Sequence, residues 1–381
     1  MSKILKGDKK SCFDGCDFVL QLDESRKNTK IKLLQITDMQ FIDATQRRYP
    51  ERLTPPEVTA WAPENFEISA GSHIRSLVAQ TKPDMIFVTG DIVYGSFDDA
   101  GTSLSWYCNF MDSLEIPWAP VFGNHDNESA KGVTWQCEQF EKSKYCMFKR
   151  GEVSGNCNYS VGIAVGDELI RIMHMVDSNG CEFDHDHTDV IREEKIFADQ
   201  VELIKKNSAL ANKAQNKTIP GFVACHGPMQ SFKDAEIAKG YLTEDRKTYT
   251  IGVDVEAKDD DFGCKDSYTT PFTQVEGDFI SAMKQSNVDA VFVGHCHKIN
   301  TCVRYEGIRW IYGLKTGVYD SHIPGMVGGT LVTLEEGGFD VCHVHSVVKY
   351  PPYMLYAKMS YNACTIKGKT IDADILEANN G

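Results

Sequence analysis

The chain has 381 residues, 42% hydrophobic and 25% charged, a globular composition that excludes a disordered or collagen-like polymer and leaves room for one large domain or two ordinary ones. Forty Lys and Arg against fifty-four Asp and Glu give a formal charge of −14, which excludes a broad face for nucleic acid or anionic membranes. No apolar run is long enough to span a bilayer.

Met1–Leu22 mixes lysines with aspartates and holds no apolar signal core, so a cytoplasmic location is expected. Phe18–Leu22 and Ile31–Thr37, separated by polar Asp23–Lys30, read as a hairpin. Phe66, Ala70, Ile74, Leu77 and Val78 share a helical face, and Pro83 stops that helix before the apolar strand Met85–Thr89. Leu104, Tyr107, Met111 and Leu114 predict a second helix, followed by the strand Trp118–Phe122. Asn158–Val165 and Leu169–Val176 flank Gly166-Asp167, a hairpin turn. Phe197, Val201 and Ile204 mark a helix within Val190–Lys213, and Gly221–Cys225 is a strand.

Lys233–Pro271, rich in Asp and Gly, is the least regular stretch and reads as a long loop, either a lid or a solvated insertion. Phe272, Val275, Phe279 and Met283 mark a helix before the strand Ala290–Val293. Arg309–Tyr312, Thr330–Leu334 and Phe339–His345 complete the strands. No repeat, low-complexity tract or Pro/Ser linker divides the chain. The expected organisation is an N-terminal extension with the first hairpin strand over 1–30, one main domain over 31–348 and a tail over 349–381. Thirteen cysteines cannot all pair internally, and without a repeated Cys-x-x-Cys framework they read as free thiols in a reducing compartment.

Five apolar strands end in residues able to bind a cation: at Asp38, at Gly90-Asp91, at Gly123-Asn124-His125-Asp126, at His226 and at Gly294-His295-Cys296-His297. Continuous apolar runs suit strands covered on both faces, and ligands in open α/β sheets sit beyond the carboxyl ends of the strands. Carboxylate, amide and imidazole donors suit Zn, Mn and Fe. They outnumber the needs of one tetrahedral ion, which points to two adjacent ions, an arrangement suited to hydrolysis at phosphorus.

In this ordered set the chain resembles the calcineurin-like metallophosphoesterases. Gly90-Asp91-Ile92-Val93-Tyr94 is similar to the Gly-Asp-x-x-Tyr box of purple acid phosphatases, and Val223-Ala224-Cys225-His226 to their Val-x-x-His box. The resemblance runs from about Ile31 to about His345. It implies a fold of two β-sheets packed as a sandwich and flanked by helices, in four α/β/β/α layers, with Arg309–His345 supplying much of the second sheet. It further implies that Asp38, Asp91, Tyr94 and His297 hold a first metal, Fe(III) in purple acid phosphatases. Asn124, His226 and His295 would hold a divalent Fe, Zn or Mn, with Asp91 bridging. His125 would serve as the outer histidine next to the substrate, oriented by Asp126.

The first box departs from the pattern: general family members have Asp-x-His there and purple acid phosphatases Asp-x-Gly, whereas this chain has Asp38-Met39-Gln40. A Gln40 amide oxygen is a weak ligand, and a Tyr94 phenolate would compensate for the missing imidazole. Asp38, Asp91 and a Tyr94 phenolate supply three negative charges against five positive ones, and a bridging hydroxide removes one more. The centre stays positive and would attract a small phosphoester or a phosphorylated side chain. The implied reaction is phosphomonoester hydrolysis by in-line attack of a metal-bound hydroxide. Phosphodiesterase activity on cyclic nucleotides or small diesters is the alternative enzyme, and a non-catalytic scaffold the alternative class.

Each feature also has a plainer interpretation. Asp38 and Gly90-Asp91 alone are common turn residues, His226 alone a satisfied strand-end histidine, and Tyr94 alone an aromatic packed on its neighbours. Cys225 and Cys296 are expected to face away from the ligand histidines. His185 and His187, in Asp184-His185-Asp186-His187, are candidates for a further metal- or substrate-contacting loop, against a solvated polar loop.

Overall fold

Two sheets form the body of this computed structural model, which describes residues 3–355 apart from 7–9, 47, 49–51, 181, 184–189, 193, 267–271 and 336. The five-stranded sheet runs Gly338–His345, Gly328–Glu335, Ile31–Ile36, Met85–Thr89, Trp118–Val121. Its last three strands are parallel, and Gly328–Glu335 pairs antiparallel with Ile31–Ile36. The eight-stranded sheet runs Lys3–Lys6, Phe18–Leu22, Tyr159–Val165, Glu168–Met175, Gly221–Ala224, Val288–Val293, Ile308–Tyr312, Cys302–Tyr305. Its parallel core is Glu168–Met175, Gly221–Ala224, Val288–Val293 and Ile308–Tyr312.

The sheets meet face to face. Phe87 of the smaller sheet packs edge-on against Phe292 of the larger at 5.2 Å, and Phe222 of the adjacent strand packs edge-on against Phe292 at 5.2 Å as well. Gln35 Nε2 spans the layers to the Val293 carbonyl at 3.0 Å. Helices Ser72–Thr81, Thr102–Ser113 and Gly132–Lys142 accompany the smaller sheet, and Ala198–Gln215, Gln230–Ala238 and Phe279–Gln285 the larger. This is the expected two-sheet sandwich flanked by helices. With both faces of each sheet covered, the central strands Met85–Thr89 and Gly221–Ala224 are buried throughout, which explains their unbroken apolar runs.

Several expectations change. Phe18–Leu22 and Ile31–Ile36 do not form a hairpin: the first runs parallel to Tyr159–Val165 in the larger sheet, the second lies in the smaller. Lys3–Lys6 and Phe18–Leu22 are therefore part of the larger sheet. Period-2 patterning marks both segments as strands but carries no information on partner choice. Arg309–Tyr312 likewise joins the larger sheet, while the two C-terminal strands join the smaller. The Lys233–Pro271 stretch opens inside the helix Gln230–Ala238 and holds the paired strands Tyr249–Thr250 and Cys264–Lys265, so it is not one long loop. The helix predicted from Phe272 begins only at Phe279, because Gln274–Val275 pairs as a strand with Lys195–Ile196. The Gly166-Asp167 hairpin forms. Among the described residues no helix is long and apolar enough to cross a membrane.

Candidate metal centre

The loops leaving Ile36, Thr89, Val121, Ala224 and Val293 all open at one edge of the sandwich, because the strands that feed them are parallel within each sheet and the sheets face each other. Asp38, Asp91 and His295 sit in left-handed backbone, with φ of +53°, +50° and +69°. Non-glycine residues rarely adopt that region, and strain of this kind collects at functional sites. The turn bends each side chain inward over its strand end.

The glycines of the boxes have a steric cause. A Cβ on Gly123 would lie 2.2 Å from Asp91 Oδ1, and one on Gly294 would lie 2.1 Å from Thr37 Oγ1 and 2.6 Å from Asp38 Oδ2. A Cβ on Gly90 would meet His226 Nδ1 at 2.7 Å. Each glycine leaves the space into which a neighbouring strand's donor is packed.

Two groups of donors converge. Asp91, His226 and His295 place one ligand atom each within 4.8 Å of one another, and so do Asp38, Asp91 and His297. Asp91 belongs to both. Asn124 completes the first group: its Oδ1 lies 3.1 Å from His226 Nε2 and 2.9 Å from His295 Nδ1. His226 Nδ1 donates to the Thr89 carbonyl at 2.7 Å, which leaves Nε2 as the free ligand atom. In the second group His297 Nε2 lies 3.3 Å from Asp38 Oδ1, and Ser321 Oγ lies 3.0 Å from His297 Nδ1. The backbone N–H of His295 donates to both Asp38 oxygens, at 3.1 and 3.0 Å. Buried carboxylates opposite buried or half-buried imidazoles, with ligand atoms converging in two groups, form a donor set suited to cations.

The electrostatics are mixed: burial opposes a charge on His226, but Asp91 and Asp38 push it up to about 10. Burial alone would raise the carboxyls of Asp38 and Asp91, but the surrounding histidines (His297 and His226 at Asp38; His226 and His125 at Asp91) hold both below the usual carboxylate range. Burial lowers His295 to about 3, helped by His226, so its ring is neutral and able to coordinate.

His125 and Tyr94 stand together beside these groups. Their rings stack at 4.1 Å, and His125 Nδ1 is 2.8 Å from Glu128 Oε1. Burial opposes the charge on His125, but Glu128, Asp91 and Asp320 push it up to about 10. Burial, reinforced by Asp320 and Glu128, pushes the Tyr94 phenol above its usual range. The orienting carboxylate expected at Asp126 is Glu128 instead. Asp126 points into the protein, where it accepts the backbone N–H groups of Gly123 at 2.7 Å and Val93 at 3.0 Å and ties two strand-end loops together.

Gln40 does not offer its amide oxygen to the centre. Its Nε2 donates to Asp91 Oδ2 at 3.1 Å, and its Oε1 accepts from Lys315 Nζ at 2.7 Å. Cys225 and Cys296 belong to the apolar cluster behind the site, as expected. His185 and His187 lie outside the described residues. Sequence reasoning missed Glu128, Lys315 and Asp320. Lys315 had a readable signal, since it follows the strand Ile308–Tyr312 as the other donors follow theirs.

Residues 31–298 match the family model described as calcineurin-like phosphoesterase. "Probable inactive purple acid phosphatase 14" of Arabidopsis thaliana is 24% identical over 328 residues, covering 78% of this chain and 73% of that protein. "Probable inactive purple acid phosphatase 29" of the same plant is 23% identical over 324 residues, covering 79% and 75%. Among solved structures, a dimetal phosphatase from Danio rerio is 11% identical with a TM-score of 0.44, covering 83% of this chain and 99% of its own.

Proposed function

The chain belongs to the calcineurin-like phosphoesterase family, and on that premise we propose that it is a metal-dependent phosphoric ester hydrolase of the purple acid phosphatase type, acting on a small phosphomonoester or a phosphorylated side chain. The observation that carries this reading is one buried carboxylate, Asp91, common to two converging donor groups. Asp91, Asn124, His226 and His295 would hold one cation, and Asp38, Asp91 and His297 with the Tyr94 phenol the other. Such a pair of ions supplies activated water and neutralises charge on the phosphoryl oxygens.

The protein's own groups do the rest. His125 gives one ring nitrogen to Glu128, which leaves Nε2–H to protonate the leaving oxygen. Asp91 is held by the His125 backbone N–H on Oδ1 and by Gln40 on Oδ2, so its position does not depend on an ion. The formal charge of −14 keeps long polyanions away and favours small substrates. Buried thiols such as Cys108, Cys146 and Cys157, all raised by burial, suit a reducing compartment such as the cytoplasm.

A non-catalytic role is the second reading, favoured by Gln40 in place of a histidine. The experiment is metal content together with rates on a monoester and a diester chromogenic substrate. Monoester turnover that disappears in Asp91→Asn is expected. Metal-loaded protein with no turnover on either substrate supports the non-catalytic role, and faster diester turnover supports the phosphodiesterase. A ferric ion bound by Tyr94 would give visible absorption that Tyr94→Phe removes.

A further inference from the structure

We infer that Lys315 and Gln40 together make the cation position formed by Asp38, Asp91 and His297 a weak, exchangeable one, with a protein ammonium held behind it where a further ligand would stand. The inference rests on the reading above that both donor groups bind cations.

Gln40 is fully buried, and a glutamine has one atom that can coordinate a cation, its amide oxygen. Here that oxygen accepts from Lys315 Nζ at 2.7 Å. The side of the amide turned to the centre is its NH2 group, which donates to Asp91 Oδ2 at 3.1 Å and cannot coordinate. The amide cannot simply be reversed. A flip would set NH2 against the ammonium and the oxygen against the carboxylate, two repulsions in place of two hydrogen bonds. Lys315 therefore fixes Gln40 as a donor.

Lys315 is itself buried, and its second acceptor is the Asp38 carbonyl at 2.7 Å. Among the described residues it makes no ion pair with a carboxylate, so two neutral oxygens hold a charged group out of water. Such burial is unfavourable unless nearby negative charge offsets it. Burial lowers the Lys315 ammonium from its usual value, and the nearby charges of Asp38, Asp320 and Asp91 offset only part of that. Two of the three belong to the cation position itself. An entering cation therefore meets a positive charge already drawing on the same carboxylates, one of which, Asp91, is shared with the other position. Of the residues forming the other position, Asp91, Asn124, His226 and His295, Lys315 donates to none.

The test is equilibrium dialysis of metal-stripped protein against graded Mn(II) or Zn(II), with bound metal counted by mass spectrometry. We expect two steps: one ion per chain, then a second at about 10–100-fold higher concentration, the range by which groups behind the ligands alter metal affinity. His297→Ala should remove only the weaker step. Lys315→Met should draw the steps together, Lys315→Arg should keep them apart, and Gln40→His combined with Lys315→Met should give two tight ions. Two ions taken up by the wild type in a single step, or two steps unchanged in Lys315→Met, overturn the inference and leave the hydrolase reading standing. A wild type that takes up no ion overturns both. The wild-type isotherm decides even where a variant fails to fold.

Discussion

The backbone nitrogen of His125 lies 2.9 Å from Asp91 Oδ1, so the carboxylate shared by the two donor groups is fixed by the loop of the adjacent strand. Loss of that carboxylate should empty both cation positions at once. Asp91→Asn is expected to bind less than one ion per chain and to lose turnover, with its far-ultraviolet circular dichroism unchanged. Retention of two ions would show that Asp91 is not shared.

His125 and Glu128 should separate from the cation ligands in their effects. His125→Ala should lower turnover by about 10²–10⁴ while metal content stays at the wild-type level. Glu128→Gln, which keeps the shape but weakens the hold on Nδ1, should give a smaller loss in the same direction. Wild-type rates in His125→Ala would remove the ring from the reaction.

Asp126 should behave as a fastener. Asp126→Ala leaves the Gly123 and Val93 N–H groups without their buried acceptor, at about 1–3 kcal/mol each. The urea midpoint should fall accordingly. A variant of unchanged stability whose turnover alone collapses would place Asp126 in the chemistry instead.

Gly294 should tolerate no side chain. In Gly294→Ala the added methyl group meets Thr37 and Asp38, a contact that must push Asp38 off its position. Overpacking of this kind costs about 1–3 kcal/mol. Metal bound at the position formed with His297 should fall as well, measured by the same dialysis. Normal metal uptake would mean that the strand end yields instead of Asp38.

Stability should depend on pH through a histidine far from the centre. His174 is buried between the hydroxyls of Ser160 and Ser208, at 2.8 and 3.0 Å, and burial lowers it to about 3. Unfolded histidine titrates near 6.5. Between those values the unfolded chain holds the extra proton, so this contribution to stability falls as pH drops below about 6.5. Between pH 7 and pH 5, urea denaturation of the wild type should lose about 2 kcal/mol more than that of His174→Gln. Equal losses in the two proteins would contradict a neutral buried ring.

The donors could be read before any folding because ligand chemistry is local. Asp91, Asn124, His226 and His295 each follow an apolar run, and a run buried on both faces must surface at its end, where a polar residue is available for function. The hairpin at Gly166-Asp167 was legible for the same reason, since its turn and both strands are neighbours in the chain. Pairing across distance was not legible. The separation of Phe18–Leu22 from Ile31–Ile36 follows from which sheet buries each strand, and alternation along one segment cannot express that.

Asp126 and Glu128 are both acids just beyond His125, and only the turn at His125–Glu128 sends one inward to backbone N–H groups and the other to the imidazole. Residue type and order thus specify a set of carboxylate, amide and imidazole groups at strand ends. What those donors do to one another emerges when the two sheets close. Lys315 meets Gln40 across 275 positions, a buried contact that exists only once the fold brings the two loops together.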